Sequence, residues 1–299
     1  MLEIILHFAD KTLFFLMGLS IIYLFVLAIA SRRKHIGYPK ANKQSRMIVL
    51  IPEGTEFPTQ EYPRDLYEIN YYGDLTEKVK ELDESCYDIV VILKEFTQVS
   101  PRLLHKINNF YHAGIKAIQL HTVTEKYNGF GKRWKAILKE VDNSLYKKGN
   151  VQIGLSSAFT GPDVAVDLKW LKRNQKTANS NLERKLLKQD IYIAYLENEK
   201  VYRESTQKYS YTTPPSKALS QIMAAFLSGN WNYCNRLVQN LMPSPLGLFV
   251  LTVLWLVLMT IYDWTYSIKW WFILFGLSFA VSLAIPDYLV SSKKKKNKK

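Results

Sequence analysis

Lys94 and Glu95 are the residues best placed to do chemistry, because they follow directly on the run Asp88-Ile89-Val90-Val91-Ile92-Leu93. Such a β-branched and aliphatic run reads as a strand covered on both faces. Ligands of open α/β sheets sit off the carboxyl ends of such strands, so Lys94, Glu95 and Phe96 should line a crevice. The Lys94 ammonium could serve as a point-charge ligand for phosphate. Glu95, Asp163 and Glu183 are the carboxylates that could take a proton there. Asp163 follows Gly161-Pro162, where such a residue usually caps a helix, and a lysine at a strand end is usually a solvated charge.

Other reactive side chains form no constellation. Cys86 and Cys234 have neither metal-ligand nor redox spacing and read as two reduced core residues. His7, His35, His105, His112 and His121 fall on different expected elements and read as structural.

The charge of +14 over 299 residues raises nucleic acid as a partner, and the placement of the charge argues against it. Six cations and no acid lie between Arg32 and Arg46, and six more lie in the tail from Lys293 to Lys299. These twelve account for all but two of the fourteen net charges. Both tracts flank apolar segments, the pattern of membrane topology signals and contact with anionic lipid.

The elements that must position the crevice lie between membrane segments. Leu13 to Ala30 is an uncharged run of 18 residues, close to the roughly 20 needed to cross a bilayer. Glu3 and Asp10 precede it and Arg32-Arg33-Lys34 follows, which argues against a cleaved signal and puts the N-terminus outside. Leu246 to Tyr262 and Trp270 to Ile285 read as a membrane hairpin, with Asp263 and Lys269 in its connector and Trp264, Tyr266, Trp270 and Trp271 at the interface. The division expected is residues 1–31 as anchor, 32–215 as a cytoplasmic domain, 216–245 as interface helices, 246–290 as hairpin and 291–299 as basic tail. Ser216 to Met242 carries apolar residues at helical spacing, which suits helices lying on the membrane.

Within the domain, strands are expected at Met47 to Pro52, Tyr67 to Tyr72, Asp88 to Leu93, Ile115 to Val123 and Val151 to Phe159. Helices are expected at Leu75 to Glu84, at Arg102 to Ala113 with Ser100-Pro101 as its start, and at Lys132 to Lys148 ending near Gly149. The alternation gives an α/β fold with a mostly parallel sheet of about five strands and helices on both faces.

The stretches IVLIP (48–52), EYPRDLYEI (61–69), YDIVVILKEFTQVSP (87–101), AGIKAIQLH (113–121), KKGNVQIGLSSAFTG (147–161), KQDIYIAYLENEKVY (188–202) and GNWNYC (229–234), in that order, resemble membrane-bound family 2 glycosyltransferases. The resemblance covers about residues 10 to 250. It implies a glycosyltransferase-A fold in a bacterial inner membrane protein whose soluble domain faces the cytoplasm.

The resemblance also implies chemistry that these residues do not match. Active relatives place an aspartate-any-aspartate motif at Lys94, Glu95 and Phe96, where carboxylates hold Mg or Mn against a nucleotide-sugar diphosphate. Hard cations need oxygen ligands, and Phe96 offers none. Lys94 would repel a divalent ion by about 8 kcal/mol at about 4 Å and an effective dielectric of about 20. Glu95 would turn to the opposite side of the strand. The aspartate that takes the acceptor's proton in the family falls at Ser180 and Asn181, and neither is a base near neutral pH. The family's Gln-any-any-Arg-Trp motif has no match after Gln207 or Gln221, and the donor-contacting strand and helix have no room between Tyr72 and Tyr87. The expectation is a degenerate, catalytically inactive member with no cofactor, a partner or regulator of an active glycosyltransferase or polysaccharide assembly protein in the membrane. The alternative is an active metal-independent glycosyltransferase using a nucleotide-sugar donor.

Overall fold

A computed structural model describes residues 2–34, 37–94, 96–124, 129–159, 163–174, 182–203 and 215–289. The chain opens with helix α1 (Leu2–Ser31) and continues through strands β1 (Met47–Pro52) and β2 (Tyr67–Tyr72), helix α2 (Leu75–Glu81), strands β3 (Ile89–Ile92) and β4 (Gln98–Val99), helix α3 (Leu103–His112) and strand β5 (Ala117–Thr124). Helix α4 (Phe130–Asp142) runs into a π-helical stretch, Asn143–Gly149, and a last turn α5 (Asn150–Gln152). Strand β6 (Val164–Asp167), helices α6 (Leu168–Asn174) and α7 (Leu182–Lys188) and strand β7 (Ile193–Arg203) complete the soluble part. Four helices end the described chain: α8 (Pro215–Leu227), α9 (Trp231–Leu241), α10 (Pro245–Tyr262) and α11 (Trp264–Ala284).

The seven strands form one sheet in the order β2-β1-β3-β6-β5-β7-β4. Pairings β1 with β2, β1 with β3 and β5 with β7 are parallel, while β6 and β4 join antiparallel. The α/β class holds, with more antiparallel pairing than a mostly parallel sheet expects. Alternate residues of the central strands face opposite ways. Met47, Val49, Ile51, Ile89 and Val91 pack with Leu103, Leu104, Ile107 and Phe110 of α3. Ile48, Leu50, Val90 and Ile92 meet α6, α7 and α9 through Leu171, Leu186 and Leu237. Both faces are therefore covered, which is why β1 and β3 read as unbroken apolar runs.

Several expectations are corrected. Val151 to Phe159 is not a strand: its first residues finish the α4 helix, and the rest is irregular and touches β7 where the Ser157 N–H donates to the Ile193 carbonyl at 2.8 Å. The helix does not stop at Gly149, which keeps helical dihedrals (φ −56°, ψ −47°), and glycine there lets α1 approach: an added Cβ would lie 2.7 Å from the Leu27 carbonyl oxygen. Ser100 does not cap α3, which begins after Arg102; its hydroxyl instead donates to Glu199. Cys86 is exposed rather than in the core, and Cys234 is partly buried.

Three helices, Glu3–Ser31, Pro245–Tyr262 and Trp264–Ala284, are long and apolar enough to cross a membrane. They pack through Leu24, Leu27, Leu256, Trp270 and Leu277. Lys269 lies within α11 rather than in a connector, because Asp263 alone separates α10 from α11. Asp10 of α1 takes its charge, pairing with Lys269 and accepting from Trp270 Nε1 at 2.8 Å and Trp255 Nε1 at 3.2 Å. Trp270 is thus buried in the bundle and not at an interface, whereas Trp264 and Trp271 are exposed.

Candidate functional site

The carboxyl ends of β1, β3, β5 and β7 meet along one edge of the sheet, since β5 and β3 both run antiparallel to β6 between them. Lys94 and Phe96 follow β3 at this edge. Phe96 is only 9% exposed and packs edge-on against Phe57, ring centroids 6.2 Å apart, within the α3 side of the core. Burial here follows from the apolar surroundings that Leu93 and Val99 supply on either side of it. Its position cannot furnish a metal ligand. Glu95, Ser180 and Asn181 lie outside the described residues.

The other candidate carboxylates are occupied by donors. Asp163 caps no helix. It is buried between β3 and β5, where Oδ1 accepts from the Lys94 backbone N–H at 3.1 Å and from the Arg203 guanidinium, and Oδ2 accepts from the Thr122 hydroxyl at 2.7 Å. Its role is to tie the ends of β3, β5 and β7 together. Glu183 on α7 is buried as well, 2.8 Å from Arg236 Nε on α9 and accepting from Phe159 N–H at 2.7 Å. A carboxylate held by a guanidinium is poorly placed to act as a base. Gln221 on α8 accepts from the Tyr233 hydroxyl at 2.8 Å, a link between the two helices α8 and α9.

Beside Asp163 stands a cluster that sequence reasoning missed. Lys139 on α4 feels the charges of Arg203, Glu140 and Asp163, and Lys147 on the π-helical stretch those of Lys139, Glu140, Asp163 and Asp142. Burial, then repulsion from Arg203, lowers the Lys139 pKa; burial, then Lys139, pushes Lys147 down to about 7. The Lys147 ammonium lies 5.8 Å from the centre of the Tyr195 ring, whose own pKa burial raises well above the usual range. His121, read as structural, holds a buried pair with Glu140, Nε2 to Oε2 at 3.1 Å. These charges come from four separate elements, so no local spacing announces them. The available signal was KEVDNSLYKK (139–148), where acids and bases stand among residues at helical spacing.

Across the His121–Glu140 pair opens a cavity of about 250 Å³ between the sheet and the ends of α1 and α11, lined among others by Arg32, Ser144, Lys148 and Tyr195. Arg32 closes it by donating to the Leu283 and Ile285 carbonyls at 2.7 and 3.1 Å and pairing with Asp287 at 2.5 Å. Lys148 pairs with Glu197 at 2.7 Å. Arg32 thus ties the end of α1 to the end of α11, and Lys148 ties the π-helical stretch to β7.

No family model and no curated protein matches the chain. Among solved structures it is similar to the mannosyltransferase PcManGT of Pyrobaculum calidifontis, determined with GDP-Man and Mn2+, at a TM-score of 0.50 and 11% identity, over 94% of this chain and 97% of that one. The chain has a glycosyltransferase-like fold. At this identity the likeness speaks for the fold alone, and the site must be judged on its own residues. A divalent ion needs several convergent oxygens. Among the described residues no group of three or more His, Cys, Asp or Glu could hold one. Asp163, which accepts from the Lys94 backbone N–H, already has a guanidinium on it. The described side chains do not fit Mg or Mn.

Proposed function

We propose that this is a membrane-anchored, family 2 glycosyltransferase-like protein that transfers no sugar and serves as partner or regulator of an active glycosyltransferase or polysaccharide assembly protein. The observation that carries the reading is Phe96, packed under Phe57 where a metal-binding carboxylate would stand, with Lys94 beside it. A site built this way puts positive charge where active relatives gather negative charge. Residues 1–31 and 246–290 then anchor the chain in a bacterial inner membrane, and the soluble domain faces the cytoplasm. On α8 and α9, Leu219, Met223, Phe226, Leu227 and Trp231 are exposed, which suits helices lying against lipid. The basic tracts at 32–46 and 293–299 favour anionic lipid over nucleic acid as the partner.

Manganese titration followed by electron paramagnetic resonance tests this. The reading expects no stoichiometric site on the detergent-solubilised chain. A tight site lost in Glu95→Gln would sink it.

The second reading, a metal-independent transferase, is favoured by Lys94 and the buried cations beside Asp163, which could hold a diphosphate. It requires Lys94→Ala to abolish nucleotide-sugar binding, and unchanged binding in that variant excludes it.

A further inference from the structure

Two charged contacts mark two levels on the helix bundle, Asp10 with Lys269 and Arg32 with Asp287. From Asp10 to Ser31, α1 rises roughly 32 Å at about 1.5 Å per residue, which is one hydrocarbon thickness. The turns of α1 before Asp10 therefore stand at the headgroup level on the side away from the sheet. There a second cavity, of about 450 Å³, opens between these turns and the α10–α11 turn. Its lining is divided by polarity. Buried Met259 and half-buried Leu6 are apolar, as are Ile4 and Phe8 at its exposed side. Glu3, His7 and Lys11 line it as well, and their spacing of four residues puts them in one column along α1. Facing the column, the Tyr262 hydroxyl hydrogen-bonds Glu3, and the Tyr266 ring meets His7 edge-on with centroids 5.4 Å apart.

The column carries charges of both signs and leaves them apart. Lys11 makes no ion pair among the described residues, because the neighbouring Asp10 is taken by Lys269, Trp255 and Trp270. Glu3 has a neutral hydroxyl as its partner. An occupant that satisfies both must bring an anion to Lys11 and His7, a cation to Glu3 and apolar chains to the remaining wall. A purely anionic headgroup would meet Lys11 but be repelled by Glu3. A quaternary ammonium offers Glu3 no N–H and depends on aromatic faces, and the Lys269 ammonium already lies 5.9 Å from the centre of the Tyr266 ring. A primary ammonium joined through two carbons to a phosphate meets both demands.

The order along the helix fits the same headgroup. Lys11 lies nearer the middle of the bundle than Glu3, just as the phosphate of such a lipid lies nearer its acyl chains than the ammonium does. We propose that this cavity binds a phospholipid with an ethanolamine headgroup, its phosphate on Lys11 and His7, its ammonium on Glu3 and its chains against the apolar wall. The proposal rests on the reading that these helices cross a membrane, and it holds equally for a chain that transfers sugar and for one that does not.

The test is native mass spectrometry of the full chain in a non-ionic detergent, with phosphatidylethanolamine, phosphatidylcholine and phosphatidylglycerol of identical acyl chains added in turn. The ethanolamine lipid should bind roughly tenfold more tightly than either of the others. Glu3→Gln should erase that preference, and Lys11→Gln should weaken binding of the ethanolamine lipid roughly tenfold. Both side chains are exposed at the rim, so both variants should keep the melting transition of the unaltered chain. Equal binding of the three lipids, as ordinary annular lipid would give, overturns the proposal. So does a preference that both variants leave unchanged. A chain that stays folded and monodisperse after detergent is removed would instead overturn the membrane reading, and the site with it.

Discussion

Water is stripped from Lys147 by burial, and Lys139 adds like charge nearby, so its pKa falls from the ordinary lysine value to about 7. Between about pH 7 and the ordinary range, the unfolded chain holds a proton there that the folded protein has released. Stability must rise with pH across that window, and the cost of the buried charge is fully present below it. Lys147→Met should therefore raise the melting temperature at about pH 6, by an amount on the order of a few kcal/mol in stability. The gain should shrink steadily toward about pH 10; a gain equal at both ends would contradict the assignment. At this scale the sequence was informative only where a site is contiguous. Lys94 and Phe96 stand at the expected strand end because one apolar run of β3 leads straight to them. Asp163 and Arg203 are 40 residues apart and meet only through strand pairing, so their partnership could not be read.

Helix α1 touches the soluble domain where Gly149 lets the Leu27 backbone come close. Gly149→Ala would force that contact apart and should cost about 1–3 kcal/mol in stability, measurable as a lower melting temperature of the solubilised chain. Wild-type behaviour would mean that the contact is not tight. On the other face, Leu237 of α9 is fully buried against the sheet. Leu237→Ala should cost about 2–5 kcal/mol, the price of an apolar cavity. An unchanged transition would show that α9 is not docked there. The elements that the sequence identified are those with uniform patterns: β1, β2, β3, β5, α2, α3, α4, the helical stretch of α8 and α9, and the three long apolar helices. Strand β6 has only four residues, and β7 mixes charges into its second half, so neither announced itself. Val151 to Phe159 misled because its residues span the end of a helix and an irregular segment rather than a paired strand.

Across the whole molecule, the long helices are joined to one another by charged contacts between residues far apart in sequence. Asp10 with Lys269 holds α1 to α11 at one end, and Arg32 with Asp287 joins the same helices at the other. Removing one partner of a buried pair leaves the other uncompensated, whereas replacing both with apolar residues need not. Asp10→Leu should lower the melting temperature, and adding Lys269→Leu should restore much of it. Additive losses in the double variant would show that the two residues do not act as a pair. The glycosyltransferase-like frame and the apolar helices surround a sheet edge at which Lys94, Phe96, Asp163 and Arg203 stand. Turnover of isotope-labelled nucleotide sugars by the purified full chain with manganese present tests that account most directly. The account predicts no release of nucleoside diphosphate above a protein-free control for any UDP- or GDP-linked sugar. Steady turnover that is lost in Lys94→Ala or Glu95→Gln would contradict it.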